Sequence, residues 1–343
     1  MAKLFREILN RIIGPKHIAL GVENGKVIQF LKARDALKPD DLLVQIKSVA
    51  VNPIDFKLAN KTENKKVILG FDAYGVVVNK GDKVTNFKIG DKVFYSGQNN
   101  RSGSFQELQV VDSHLAAQAP NKIDTDQIAS IPLTFLTAYE ILKEQFNFKI
   151  ERNSQIGEEL LIINGSGGVG LALLQLANYI GLKVTTTTSS TDGKNIISKL
   201  GNATIIDRTK IKTALGQKRF KNIALLYDPI VYIDLISEHL QAFGTVVSIV
   251  DSSQKIDLTK LKELSATYKQ EFVFTKALMN FKKETQGKYL RDIALLLDAG
   301  IISPVVTTNL SGINVNNLQK SLVMIGSQKV IGKIVLSGEF KKD

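Results

Sequence analysis

The chain is 343 residues long, 44% hydrophobic and 23% charged, which is ordinary globular composition and excludes a disordered chain. Its length exceeds what one hydrophobic core usually serves, so two domains are expected. Cysteine is absent and the three histidines, His17, His114 and His239, lie far apart, which excludes disulfides and thiolate metal sites and argues against a conventional zinc site.

The formal net charge is +12, yet only 8 of the 45 basic residues are arginine and tryptophan is absent. Lysines are spread along the whole chain, so no basic strip interleaved with aromatics marks a nucleic-acid surface. The charge reads instead as a solvated surface that attracts anionic cofactors. No run approaches the roughly 18 consecutive apolar residues of a membrane span, and no signal-like segment opens the chain, so a cytoplasmic location is expected.

In chain order, residues 1–13 place Leu4, Phe5, Ile8, Leu9, Ile12 and Ile13 at helical spacing with Lys3, Arg6 and Arg11 between them. This predicts a short amphipathic helix ended by Gly14-Pro15 and packed on the body or on a partner subunit, with a membrane-surface anchor as the alternative. From 16 to 125 the pattern changes to short β-rich runs at 42–51, 76–78, 93–95 and 105–111, separated by turn residues. That predicts an all-β or barrel-like domain. Apolar residues recur at helical spacing over 124–139, with Asp124 as an acceptable N-cap, and a boundary falls near 126.

Beyond it, strands are expected at 160–164, 183–188, 203–207, 223–227, 244–250 and 271–275. Helices are expected at 169–180 and 194–200, the latter closed by Gly201. Six strands with covering crossovers predict an α/β fold with a doubly wound parallel sheet.

The sharpest local signal follows the first of these strands, where Gly165, Gly167 and Gly170 take the G-x-G-x-x-G spacing together with Ser166, Gly168 and Val169. Gly165 suits the tight turn, Gly167 leaves room for a pyrophosphate, and Gly170 lets the helix approach the sheet. A dinucleotide site selective for NAD carries Asp or Glu roughly 20 residues past the first glycine. Here Thr185 to Thr188 are followed by Ser189 and Ser190. These hydroxyls, with Lys194 or Arg208, suit a 2′-phosphate and favour NADPH. Asp192 opposes that preference, although it also reads as an ordinary helix-start residue.

Taken together, Val49-Ala50-Val51-Asn52-Pro53-Ile54-Asp55 with Lys57, Gly70-Phe71-Asp72-Ala73-Tyr74-Gly75-Val76-Val77, Gly90-Asp91-Lys92-Val93-Phe94-Tyr95, Gly103-Ser104-Phe105, Leu136-Thr137-Ala138-Tyr139-Glu140, the glycine turn and Gly332-Lys333-Ile334-Val335 carry a family likeness over nearly the whole chain. It resembles the medium-chain dehydrogenase/reductase superfamily, in particular the zinc-free quinone oxidoreductase-like branch often labelled zinc-type alcohol dehydrogenase-like. The resemblance implies a GroES-like catalytic domain over 1–125, completed by 287–343, around a Rossmann NADPH-binding domain over 126–286. It also implies a small quinone or carbonyl substrate, a cleft between the domains and the family's frequent tendency to form homodimers.

The likeness to zinc-dependent relatives breaks where the metal would sit. Asp55 stands near their first cysteine, Gly70-Phe71-Asp72 replaces Gly-His-Glu, and 99–111 runs on without the cysteine-bearing lobe. The expected function is therefore zinc-independent, NADPH-dependent hydride transfer to a quinone or α,β-unsaturated carbonyl, whose conjugation spreads the developing charge. The alternatives are reduction of simple aldehydes and ketones, or a non-catalytic NADPH-binding sensor or RNA-associated protein.

Three residues are candidates for the chemistry. The Tyr95 phenol can donate to the substrate oxygen, Asn52 can orient substrate or cofactor, and Asp55 can hold a water or the ribose. Tyr95 reads equally as a strand aromatic packed in the barrel, and Asp55 as a turn-capping carboxylate. By resemblance Thr137 approaches the nicotinamide, and Lys329 is placed to reach a cofactor phosphate.

Overall fold

The computed structural model describes residues 16–341, so the amphipathic segment expected over 1–13 lies outside the described residues. The chain divides into two compact units. Unit 1 comprises Met1–Leu133, Phe274–Gly300 and Pro304–Asp343, and unit 2 comprises Thr134–Val273 and Ile301–Ser303; the sequence expectation placed these junctions near 126 and 286.

Unit 1 begins with an antiparallel hairpin of β1 (His17–Glu23) and β2 (Lys26–Lys32). Its two-residue turn is Asn24-Gly25, both at positive φ (51° and 73°), the conformation in which the turn's twist matches that of the strands. Next come β3 (Asp41–Val51), α1 (Pro53–Ala59), β4 (Ala73–Lys80), β5 (Lys92–Tyr95), β6 (Leu108–Asp112) and β7 (Ala116–Gln118). Strand β3 is the hub of this sheet. One of its edges pairs with β4, and the other pairs along its first half with β6.

The helix expected over 124–139 is shorter than its apolar pattern. A 3-10 turn covers Ile128–Ser130, and α2 spans Pro132–Glu140. Pro132 has no N–H to donate and so suits a helix start, while Asp124 closes only a local turn, its carbonyl accepting from Gln127 N at 2.8 Å.

Unit 2 is built on a six-stranded sheet of β8 (Glu159–Ile163), β9 (Lys183–Thr188), β10 (Ala203–Asp207), β11 (Phe220–Leu225), β12 (Leu240–Ser248) and β13 (Thr267–Gln270). Its order is β10-β9-β8-β11-β12-β13 and every pairing is parallel. Strand order therefore reverses beside β8, the point at which ligands bind in such sheets. The helices α3 (Gly168–Tyr179), α4 (Thr191–Leu200) and α5 (Pro229–His239) belong to the crossovers. Leu161, Ile163, Phe220, Ile223, Leu225, Ile236, Leu240 and Val246, all fully buried, fill one core.

The last strand departs from the expectation of 271–275. Phe272-Val273-Phe274 is an apolar run, but Phe274 packs its ring edge-on against Phe71, 5.0 Å between centroids and within unit 1. The paired residues are the polar Thr267–Gln270, which an edge strand tolerates because the ladder uses only backbone groups.

The chain returns to unit 1 through α6 (Glu284–Asp298), β14 (Val306–Ile313), α7 (Val315–Gly326) and β15 (Lys333–Phe340). Strand β15 inserts between β14 and the second half of β3, with Ile334 opposite Val51 and Val335 opposite Ala50. Residues from the far end of the sequence thus complete the sheet on which Asn52 and Asp72 stand.

Candidate active-site elements: a phosphate turn and a buried ionic cluster

In unit 2 the glycine turn is fixed by hydroxyls of the neighbouring strand. Thr186 Oγ1 donates to Ile162 O at 3.1 Å, Thr187 Oγ1 accepts from Asn164 N at 2.9 Å, and Thr187 O accepts from Gly165 N at 2.9 Å. Asn164 turns the chain at φ 69°, which asparagine tolerates better than most residues.

The three glycines have different reasons. A Cβ on Gly165 would fall closer than 3.0 Å to Thr186 Oγ1, and one on Gly170 would stand 2.5 Å from Gly165 O, so both are glycine for packing. A Cβ on Gly167 would meet nothing within 4 Å; its openness leaves space for a ligand in front of the α3 N-terminus. The first N–H groups of that helix have no helical acceptor and carry partial positive charge, the setting that receives a pyrophosphate.

Beyond β9, Thr188 Oγ1 donates to Ser166 Oγ at 3.0 Å, and Ser190 caps α4 by accepting from Gly193 N at 2.9 Å. Arg208 reaches both the turn and the strand end, with Nη1 3.5 Å from Asn164 Oδ1 and Nη2 3.3 Å from Ser189 Oγ. Its guanidinium lies 4.9 Å from the centroid of the Tyr227 ring, a stacking that holds the planar fork in place. Ser189 and Lys194 are exposed, as is Asp192.

Asp207 ends β10 opposite Thr188, but its carboxylate accepts from Thr209 N and Oγ1 at 2.9 and 2.8 Å. The structure thus brings Ser166, Ser189, Ser190 and Arg208 around the turn, and adds Asn164, Tyr227 and the β9 threonines. Thr137 lies buried on α2 in the same unit. Lys329 belongs to unit 1, exposed in the turn after α7, where its backbone N–H donates to Ser327 Oγ at 3.4 Å.

In unit 1 the register of β15 against β3 sets Lys333 beside Asn52, 281 positions earlier. Lys333 Nζ contacts Asn52 Oδ1 and makes a 2.7 Å ion pair with Asp72 Oδ2. Asn52 Nδ2 donates to the same carboxylate oxygen at 2.8 Å, and Asp72 Oδ1 accepts from Leu133 N at 2.7 Å. Asp55 sits in the first turn of α1, where its carboxylate accepts from Asn52 N at 2.8 Å and Gly70 N at 2.9 Å. None of the four side chains is more than marginally exposed.

Burial pushes the Asp55 carboxyl up to about 7, against the two backbone donors that favour its charged form. Burial likewise raises Asp72, opposed by the Lys333 ammonium. Tyr95, 1% exposed, donates its hydroxyl to Gln109 Oε1 at 2.9 Å, and desolvation holds the phenol well above its usual range. Sequence reasoning singled out Asn52, Asp55 and Tyr95 but not the ionic partners Lys333 and Asp72.

This donor set does not fit a zinc ion. Each oxygen of Asp55 and Asp72 is engaged by an N–H donor or the ammonium, and Lys333 already supplies a positive charge to Asp72. Among the described residues no three His, Cys, Asp or Glu side chains come together as metal ligands.

A β unit carrying a buried polar cluster, joined to a parallel sheet with a dinucleotide-type turn, defines an oxidoreductase architecture. Residues 38–121 match the alcohol dehydrogenase GroES-like domain family. A zinc-type alcohol dehydrogenase-like protein of Staphylococcus epidermidis is 35% identical over 303 residues, covering 87% of this chain and 90% of that protein. Human quinone oxidoreductase is 27% identical over 280 residues, covering 78% of this chain and 81% of that protein.

Among solved structures, a zinc-dependent alcohol dehydrogenase protein of Rhizobium etli, so described provisionally, superposes with a TM-score of 0.88 at 27% identity, covering 95% and 99% of the two chains. Escherichia coli quinone oxidoreductase complexed with NADPH shares the fold, with a TM-score of 0.75 at 19% identity over 94% and 99% of the two chains. The chain belongs to the medium-chain dehydrogenase/reductase superfamily and is an oxidoreductase of that group. Among the described residues no helix is long and apolar enough to cross a membrane.

Proposed function

We propose that this chain binds NADPH and reduces a quinone or an α,β-unsaturated carbonyl without zinc. The observation that carries the cofactor choice is the end of β9, where Ser189, Ser190 and the Tyr227-stacked Arg208 gather beside the phosphate turn. Gly167 and the α3 N-terminus hold the pyrophosphate, and Ser189, Ser190, Lys194 and Arg208 hold the 2′-phosphate. Thr137 and Lys329 are assigned to the same cofactor. Bound NADPH supplies the hydride.

On the substrate side, Asn52 is the group assigned to the carbonyl oxygen. An amide nitrogen carries two protons, and Asp72 uses one of them; the other is left for a developing oxyanion, with the Lys333 charge beside it. Asp55 positions Asn52 through its backbone N–H. Tyr95 has its proton engaged by Gln109, so its proposed part is to wall the site. A conjugated acceptor suits so modest a donor, because its charge is delocalised.

The test is NADPH consumption by chelator-treated protein with 1,4-benzoquinone, with NADH and a simple aldehyde in parallel. Quinone turnover that prefers NADPH and survives chelation is expected. Activity that disappears with chelator and returns with zinc would overturn the reading, as would aldehyde turnover exceeding that with quinone. NADPH binding with every acceptor inert would move the chain to the sensor class.

A further inference from the structure

Gly193 is the third residue of α4, and glycine there costs helix stability relative to alanine. Its backbone does not require glycine, because it is not among the glycines at positive φ. Space does require it. A Cβ on Gly193 would overlap Thr188 Oγ1 and stand 2.8 Å from Ser190 Oγ and 3.0 Å from Ser166 Cβ. Those three residues are the hydroxyl cluster that ties the phosphate turn to the end of β9 and to the α4 cap.

Thr188 is 1% exposed and bonded to Ser166, and a β-branched side chain has few rotamers to retreat into. The first turn of α4 can therefore lie directly on the phosphate turn only while position 193 lacks a side chain. We propose that Gly193 is a specificity-determining residue for the nucleotide's 2′-phosphate, which rests on the NADPH reading above. A methyl group here lifts the α4 first turn away, carrying Ser190 and Lys194 with it and loosening Ser189 from Arg208. It leaves intact Gly167 and the α3 N-terminus, the parts assigned to the pyrophosphate that NADPH and NADH share. The two phosphate groups are thus served by two different glycines, Gly167 for both cofactors and Gly193 for one.

The experiment measures dissociation constants for NADPH and NADH, by nucleotide fluorescence, in wild type, Gly193→Ala, Thr188→Ala and the Gly193→Ala, Thr188→Ala double variant, with circular dichroism as the control for folding. The expected result for Gly193→Ala is NADPH affinity weakened about tenfold, the equivalent of one lost charge-assisted contact, with NADH affinity within about twofold of wild type. Removing the overlapping Thr188 hydroxyl should restore part of the lost NADPH affinity in the double variant.

An unchanged NADPH constant in Gly193→Ala, or equal losses for both nucleotides, overturns the inference while leaving the NADPH reading standing. A wild-type protein that binds neither nucleotide, or prefers NADH, overturns that reading and the inference with it. If Gly193→Ala does not fold, recovery of the fold without NADPH preference in the double variant supports the proposal, and recovery with full preference overturns it.

Discussion

Replacing Lys333 with methionine removes the ammonium while keeping most of the side-chain volume, and so isolates the charge. The ion pair it breaks is deep, with side-chain exposures of 5% for Lys333 and 0% for Asp72. Asp72 would keep Leu133 N and Asn52 Nδ2 as donors but would lose its counter-charge. Breaking a buried pair on one side costs about 3–5 kcal/mol, which for a unit of this size lowers the melting temperature by roughly 2–4 °C per kcal/mol.

The loss depends on pH. Without Lys333, burial raises Asp72 further above its unfolded value, so protonated Asp72 is well tolerated and ionised Asp72 is not. The deficit should therefore be small near pH 4 and grow as the pH rises. Urea unfolding followed by circular dichroism at pH 4.5 and pH 8 measures it, and adding Asp72→Asn should recover most of the loss at pH 8. A deficit below about 1 kcal/mol at pH 8, or one equal at both pH values, would refute the buried-pair reasoning.

Gly165→Ala and Gly167→Ala should behave differently. The first overlaps Thr186 and should lower the melting temperature of unit 2. The second meets nothing within 4 Å and should melt like wild type while weakening nucleotide binding about tenfold or more, as titration would reveal. Arg208→Lys keeps the charge but loses the planar stack on Tyr227, so KM for NADPH should rise several-fold with kcat little changed. Asp55, pushed up to about 7, binds its proton more tightly folded than unfolded. It contributes stability that is complete below about pH 4 and lost as the pH rises through about 7; melts between pH 5 and 8 should slope downwards, and Asp55→Asn should flatten that slope.

What the sequence made legible was chemistry carried by contiguous residues. The glycine motif is six consecutive positions, 165–170, running from the turn after β8 into the start of α3, and local spacing alone specifies the roles of Gly165, Gly167 and Gly170. The ionic cluster was not readable in that way. Asn52, Asp72 and Lys333 each lie in a motif segment that marks the family, but their meeting depends on the register of β15 against β3, which no local pattern encodes. Arg208 was visible as a charge near the strand end, whereas the ring that orients it, Tyr227, comes from beyond the next crossover. The misplaced last strand has the same origin: Phe274 packs on Phe71 within unit 1, and hydrophobicity does not say which core a residue enters.

The position of β15 also bears on how the protein is made. Its residues emerge last among the described strands, yet they lie between β14 and β3 and carry the cation that neutralises Asp72. Unit 2, whose strands are contiguous in sequence, can close during synthesis, whereas the sheet of unit 1 waits with an open seam and an uncompensated carboxylate until the final strand arrives. Translation that stalls before Lys333 would therefore leave a nascent chain with a finished nucleotide unit and an unsealed partner, a natural substrate for chaperones or proteases.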